Sequence, residues 1–354
     1  MRRLFGFAIL LAVLPGSAAD WERAKPESVG FSTAKLEALR GWLQHQRTTS
    51  MLIVSRGRVV FEYGDTKLVS KVASVRKSVL AMLFGVPAVH DKLDIGKTVV
   101  QLGLDDVQPF LAVEKNATLM HLLTARSGIY HASGNDDLTS RSPRRGAQIP
   151  GLYFQYQNWD FNAAGTAFER ISGKDIFEAL ETYLAKPLDM QDFVRGRQLK
   201  VDNKPQSVHL EYAMYLSTRD MARLGELMLR KGLWNGNRIL NENWATSTTT
   251  LVTPPADIHP IELSLPTRAN GRWGYGMLWW VWDAPVHTGM ITGPFQGAFA
   301  AMGANGQYIV VLPVADTVVV HKVDFDSDGS RQVSPEEFQT ILQMVVNANC
   351  NPCQ

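Results

Sequence analysis

Ser74 and Lys77 stand three residues apart in the stretch 72–85. If that stretch turns from loop into helix at Ser74, a residue type favoured at helix starts because its side chain can satisfy free N–H groups, the two side chains share one helix face, about 5–6 Å apart at Cβ. Val75, Val79, Leu80, Met82, Leu83 and Phe84 leave that helix little polar surface, so it is expected to be buried nearly all round. Burial disfavours a charged lysine, and a neutral amine beside a hydroxyl is a general base beside a nucleophile. Tyr156 and Asn158 form a second pair, the only Tyr-x-Asn in the chain. A phenol ionises near pH 10; it serves as a base near neutrality when positive charge stabilises the phenolate or when it shares a proton with an amine. Lys77 can do either, and which of the two is the base stays open. A second Ser-x-x-Lys, Ser32 and Lys35, reads differently: Ser32 caps an amphipathic helix carrying Leu36, Leu39, Trp42 and Leu43, with Lys35 in water.

The surrounding elements are legible from their periodicity. Residues 51–64 are two β-rich runs about Ser55, Arg56 and Gly57, a hairpin leading towards Ser74. Residues 118–129 read as a helix stopped by Gly128; His121 is either catalytic or a buried structural histidine, the second being preferred. Residues 130–150 are a polar surface loop, and 154–165 carry Tyr156 and Asn158 into further helices at 165–173 and 175–184. Ser217 caps a helix over 217–229. From Trp273 the chain becomes strand-like: 274–282, then 299–302 and 307–313 about the tight turn 303–306, then 317–321. Ser334, Pro335, Glu336 and Glu337 open a last helix. Strands at both ends with helices between them imply a sheet built from both termini. The aromatic run Trp279, Trp280 and Trp282 either lines the cleft or fills the core, and core is the preferred reading.

Residues 1–19 read as a secretory signal: Arg2 and Arg3, an apolar run from Leu4 to Leu14, and Ser17, Ala18 and Ala19 before Asp20. The run is shorter than the roughly 20 residues a membrane span takes, and the mature chain offers no other span. Export to the periplasm or the medium is the expectation. Without 1–19, 34 basic residues face 34 acidic ones, a balance that gives no support to nucleic-acid binding. Cys350 and Cys353 sit in a terminal tail, 350–354, outside any redox context. Residues 324–329 begin like a calcium loop, but Pro335 occupies the position of the bidentate glutamate. A solvated turn is the simpler reading; neither metal nor organic cofactor is expected. Oligomeric state is not legible.

The order Ser74-x-x-Lys77, Tyr156-x-Asn158 and a late glycine-rich hairpin resembles the serine β-lactamase-like hydrolases, which include class C β-lactamases, D-alanyl-D-alanine carboxypeptidases, esterases and 6-aminohexanoate-dimer hydrolases. His121-Leu122-Leu123-Thr124-x-x-Ser127-Gly128 and Tyr156-x-Asn158-Trp159-x-Phe161-Asn162 are similar to that family's framework over roughly 30–345. The resemblance implies an α+β, β-lactamase/transpeptidase-like fold: an antiparallel sheet flanked by helices (20–95 and 263–349), an inserted mainly helical lobe (96–262), and the site between them in one catalytic unit, 20–349. Two segments compete for the family's third motif, His287-Thr288-Gly289 and Gly303-Ala304-Asn305-Gly306-Gln307; the second is preferred, because the motif sits close to the following strand. No lysine stands there, since Met302 precedes the glycine, which favours an uncharged amide or ester over a β-lactam carboxylate. The implied chemistry is acyl transfer through Ser74, with Lys77 and Tyr156 moving the proton. The oxyanion would be held by the Ser74 N–H and a donor from Gly303, Ala304 or Asn305, with Asn158 orienting Lys77 or the substrate. The alternatives are a D-alanyl-D-alanine carboxypeptidase, a β-lactamase, or a non-enzymatic penicillin-recognising sensor on the same fold.

Overall fold

The hairpin expected over 51–64 forms as β1 (Ser50–Ser55) and β2 (Arg58–Gly64) in a computed structural model that describes residues 20–135, 142–201, 205–260, 272–282 and 293–349. Its turn uses Arg56 and Gly57, both at positive φ (51° and 73°), the geometry that matches the twist of antiparallel strands. The runs of alternating and β-branched residues near the C-terminus give β9 (Trp273–Tyr275), β10 (Trp280–Trp282), β11 (Phe299–Gly303), β12 (Gln307–Leu312) and β13 (Thr317–Lys322). They join the hairpin in one antiparallel sheet ordered β2-β1-β13-β12-β11-β10-β9. Both ends of the chain therefore build this sheet. Residues 274–282 are a hairpin, β9–β10, rather than one strand; Leu278 at φ 61° turns the chain between the two.

Helices cover the sheet. Among those described are α1 (Thr33–Leu43), α2 (Val75–Phe84), α3 (Pro87–His90), α4 (Leu119–Leu123), α5 (Asn158–Ser172), α6 (Ile176–Leu180), α7 (Thr218–Leu229), α8 (Glu242–Thr248) and α9 (Pro335–Ala348). Ser32 caps α1 by accepting from Lys35 N (3.4 Å), and Ser334 and Glu337 form a reciprocal cap on α9. α1 packs on α9, whereas α7 packs on β1, β12 and β13. This departs from the expected helical lobe: α7 lies within 96–262 but belongs to the sheet's cover, with Gly225 set against Val318 and Ile309 of the strands. The intervening region also holds short ladders, β3 (Ser70–Lys71) with β6 (Tyr215–Leu216), β4 (Leu199–Val201) with β5 (Glu211–Ala213), and β7 (Leu233–Trp234) with β8 (Asn237–Arg238).

The helix expected over 118–129 stops at Leu123; Ala125 already stands at φ 56°, and Gly128 lies in the loop beyond. Thr118 and His121 explain the start of α4: Thr118 Oγ1 accepts from His121 N, and His121 Nδ1 accepts from Thr118 N (3.2 Å). His121 is thus a half-buried capping residue. Residues 1–19, His287–Gly289 and the Cys350/Cys353 tail lie outside the described residues. No described helix is long and apolar enough to cross a membrane.

Candidate active site

α2 carries Lys77, and Ser74 stands immediately before its first residue. All its residues from Val75 to Phe84 are buried, as the sequence requires. Ser74 stands at the N-cap position with φ −72° and ψ −6°, but its side chain caps nothing. The expectation of a capping serine fails for a chemical reason: Ser74 Oγ accepts instead from Lys77 Nζ at 3.0 Å. Before it, Ala73 is held at φ 46°, a left-handed conformation unfavourable for a residue with a Cβ and one that collects at functional turns.

Lys77 is 2% exposed, and its Nζ also donates to Tyr156 Oη at 2.8 Å. The amine lies 4.2 Å from the Tyr156 ring centroid and 4.4 Å from that of Phe161, two faces that attract a cation. The Lys77 amine is thus buried between two aromatic faces. Tyr156 is fixed by its own N–H to His259 O (2.8 Å) and by stacking of its ring on Trp280 at 5.7 Å. Asn158 follows as the first residue of α5, buried.

Gly303, at the end of β11, closes the other side. A Cβ on it would fall 2.7 Å from Val72 O and 3.1 Å from Ser74 N, so the strand backbone runs directly against the turn that carries Ser74. That close approach is what a glycine is needed for here. Ala304 and Asn305 continue into the β11–β12 turn, with Asn305 at φ 63°. Ser74, Lys77, Tyr156 and Gly303 thus converge on one turn, from α2, the segment leading into α5, and β11. Among the described residues no group of three or more His, Cys, Asp or Glu is placed to hold a metal ion; the Asp326 carboxylate of the calcium-like loop instead accepts from Lys71 N (2.8 Å).

Behind the site, burial and hydrogen bonding set several charges. Asp160 is fully buried, which pushes its carboxyl well above the usual range, against hydrogen bonds from Ser127 and Gln157. His131 lies between Asp106 (3.4 Å) and Glu114 (3.6 Å). Burial works against its charge, but the bonds to the two carboxylates outweigh it and raise its pKa. Burial likewise opposes ionised Glu114, yet Arg145 and His131 bring it down to about 2. Asp106 in turn accepts from Trp159 Nε1 (2.5 Å) and Ser207 Oγ (3.0 Å), tying this network to the first turn of α5.

The sequence reading missed three contributors, Phe161, Ser78 and Arg76, and preferred a core role for a fourth, Trp280. Phe161 and Trp280 have the sequence character of framework and core, yet both touch the Lys77–Tyr156 pair. Ser78 Oγ donates to Leu278 O (2.6 Å) and fixes α2 on the β9–β10 turn. Arg76 is 1% exposed and donates to Asn162 Oδ1 at 2.9 Å; a charge inside an apolar helix was the available signal.

Comparison with known proteins agrees with this architecture. The profile of the family described as Beta-lactamase matches residues 34–326. A 6-aminohexanoate-dimer hydrolase of Paenarthrobacter ureafaciens is 27% identical over 167 residues, 47% of this chain and 38% of that protein. The matched stretches span well under half the length of such relatives. Among solved structures, a protein from Bacillus anthracis described as a 6-aminohexanoate-dimer hydrolase superposes with a TM-score of 0.65 at 18% identity, covering 94% of this chain and 87% of that one. A class C beta-lactamase mutant gives 0.62 at 15% identity, covering 89% and 96%. The chain belongs to the beta-lactamase family of serine hydrolases.

Proposed function

We propose that the protein is an exported hydrolase that cleaves an uncharged amide or ester through an acyl-enzyme on Ser74. The observation that carries this reading is the position of Lys77 Nζ between Ser74 Oγ (3.0 Å) and Tyr156 Oη (2.8 Å) in a buried site. Ser74 Oγ attacks the carbonyl carbon while its proton passes to the hydrogen-bonded Lys77–Tyr156 pair. The oxyanion is held by the Ser74 N–H and a backbone donor of the 303–305 segment; one such donor is worth about 3–4 kcal/mol in the barrier. The C–N or C–O bond then breaks, the pair returns the proton to the leaving group, and water releases the acid by the same route. Asn158 orients Lys77 or the substrate. Met302, where the resemblance would place a lysine, supports an uncharged acyl group, and the likeness to a protein named for hydrolysing a 6-aminohexanoate dimer supports an amide.

The test is turnover of p-nitrophenyl butyrate, a 6-aminohexanoate oligomer and a penicillin by the wild type and Ser74→Ala. The expected result is turnover of the ester or the oligomer, lost in the variant, with penicillin hydrolysed slowly or not at all. Efficient penicillin hydrolysis, or a stable penicillin adduct without ester or amide turnover, would replace this reading with a β-lactamase or a penicillin-recognising protein.

A further inference from the structure

Glu211 stands on β5, far in sequence from every motif, yet its carboxylate reaches both sides of the nucleophile turn. Its Oε1 lies 3.3 Å from Lys71 Nζ and 3.7 Å from Arg76 Nε. Lys71 precedes Ser74 by three residues and Arg76 follows it by two. Glu211 and Arg76 are almost fully buried, at 7% and 2% side-chain exposure, with Lys71 at 25%. Arg76 also lies over the Tyr212 ring at 4.3 Å and donates to Asn162 Oδ1, four residues beyond Asn158 on α5. One carboxylate therefore links the strand entering the turn, the helix leaving it and, through Arg76, the helix that begins at Asn158.

The turn needs such a brace. Ala73 holds a left-handed backbone at φ 46°, and a residue with a Cβ stays there only where its surroundings over-determine it. The entering strand is anchored independently, by Val72 N to Met214 O (3.0 Å) and by Lys322 Nζ to Ser70 O (3.2 Å). The turn itself is closed by Val75 N to Val72 O (3.2 Å) and Arg76 N to Ala73 O (3.3 Å), and the two ion pairs to Glu211 add a side-chain tie between that strand and α2. Without the carboxylate, buried Arg76 and partly exposed Lys71 face its vacated place, an arrangement costly above all for Arg76 that opening of the turn relieves.

We propose that Glu211 is a positioning residue that clamps the nucleophile turn through Lys71 and Arg76, holding Ser74 Oγ in line with Lys77. This rests on Ser74 being the nucleophile.

The test follows labelling of Ser74 by a fluorophosphonate, read by intact mass, together with kcat and KM on p-nitrophenyl butyrate. Variants are Glu211→Gln, Lys71→Met, Lys71→Arg, the double Lys71→Met/Glu211→Gln, and Ser74→Ala. Glu211→Gln is expected to slow labelling and kcat about 100-fold, the loss that a displacement of about 1 Å brings, with KM nearly unchanged and cooperative melting retained. Lys71→Met slows both about 10-fold, Lys71→Arg restores the wild-type rate, and the double variant is no slower than Glu211→Gln, as members of one unit behave. A role in folding alone predicts lower melting temperature with wild-type labelling of the folded fraction, and that result overturns the clamp. Should Glu211→Gln fail to fold, Lys71→Met decides: labelling at the wild-type rate rejects the proposal. If Ser74→Ala is labelled as fast as the wild type, the nucleophile assignment fails and the clamp with it; if Ser74 alone is labelled and Glu211→Gln keeps its rate, only the clamp fails.

Discussion

Replacing Gly303 by alanine tests whether the β11 backbone and the nucleophile turn form one catalytic surface. The added Cβ would meet Val72 O at 2.7 Å, the Gln307 Cβ at 3.0 Å and Ser74 N at 3.1 Å. Two of these are backbone atoms that no rotamer change can move. Restoring ordinary contact with Val72 O needs a shift of about 0.7 Å, and overpacking of this kind costs about 1–3 kcal/mol of stability. A misplacement of about 1 Å at a reacting centre costs about 100-fold in rate, so a shift of this size should cost about 10- to 100-fold in kcat. The assay is stopped-flow ester cleavage, which separates acylation from release of the acid, with melting measured on the same sample. Gly41→Ala is the control: it lies in α1, where an added Cβ would meet nothing within 4 Å, so it should gain about 1 kcal/mol of helix stability with unchanged kcat. Gly303→Ala that acylates at the wild-type rate would refute the reasoning, because the contact would then not reach Ser74.

Two further outcomes are expected. Lys77→Met and Tyr156→Phe each remove one member of the proposed proton-transfer pair; both should lower kcat by about 100- to 10,000-fold, and the double variant should be little worse than either single one, measured by initial rates on the ester. His131 contributes pH-dependent stability. Its pKa is raised in the folded chain by Asp106 and Glu114 against burial, so its contribution is fully present below the unfolded value of about 6.5 and is lost as pH rises through the folded value. Melting temperature against pH should fall across that window in the wild type, and His131→Gln should flatten this part of the curve; parallel curves would contradict the assignment.

Much of this was legible because it is local. A serine and a lysine three apart in an apolar run, the Arg56–Gly57 turn, the Ser32 and Ser334 caps and the β-branched runs of β12 and β13 each carry their reason within a few residues. The failures are tertiary. Ser74 has the residue type of a cap, but Lys77 takes its oxygen. α7 has an amphipathic pattern that says it must bury a face without saying against what, and it covers the sheet instead of the inserted lobe. α4 ends early because Ala125 turns left-handed in contact with residues far along the chain, its carbonyl accepting from Gln155 N (2.8 Å). Glu211 was invisible because its partner Lys71 lies 140 residues away. Gly303 belongs to one of two segments that sequence leaves in competition, and its close approach to Ser74 N is a contact across the fold that spacing does not encode.

The central claim is that Ser74 becomes acylated. The most direct measurement is intact mass and peptide mapping of the protein quenched during ester turnover, beside Ser74→Ala. The account predicts a transient mass gain equal to the acyl group, mapped to the peptide carrying Ser74, and none in the variant. An adduct on another residue, or the same adduct and turnover in Ser74→Ala, would contradict it.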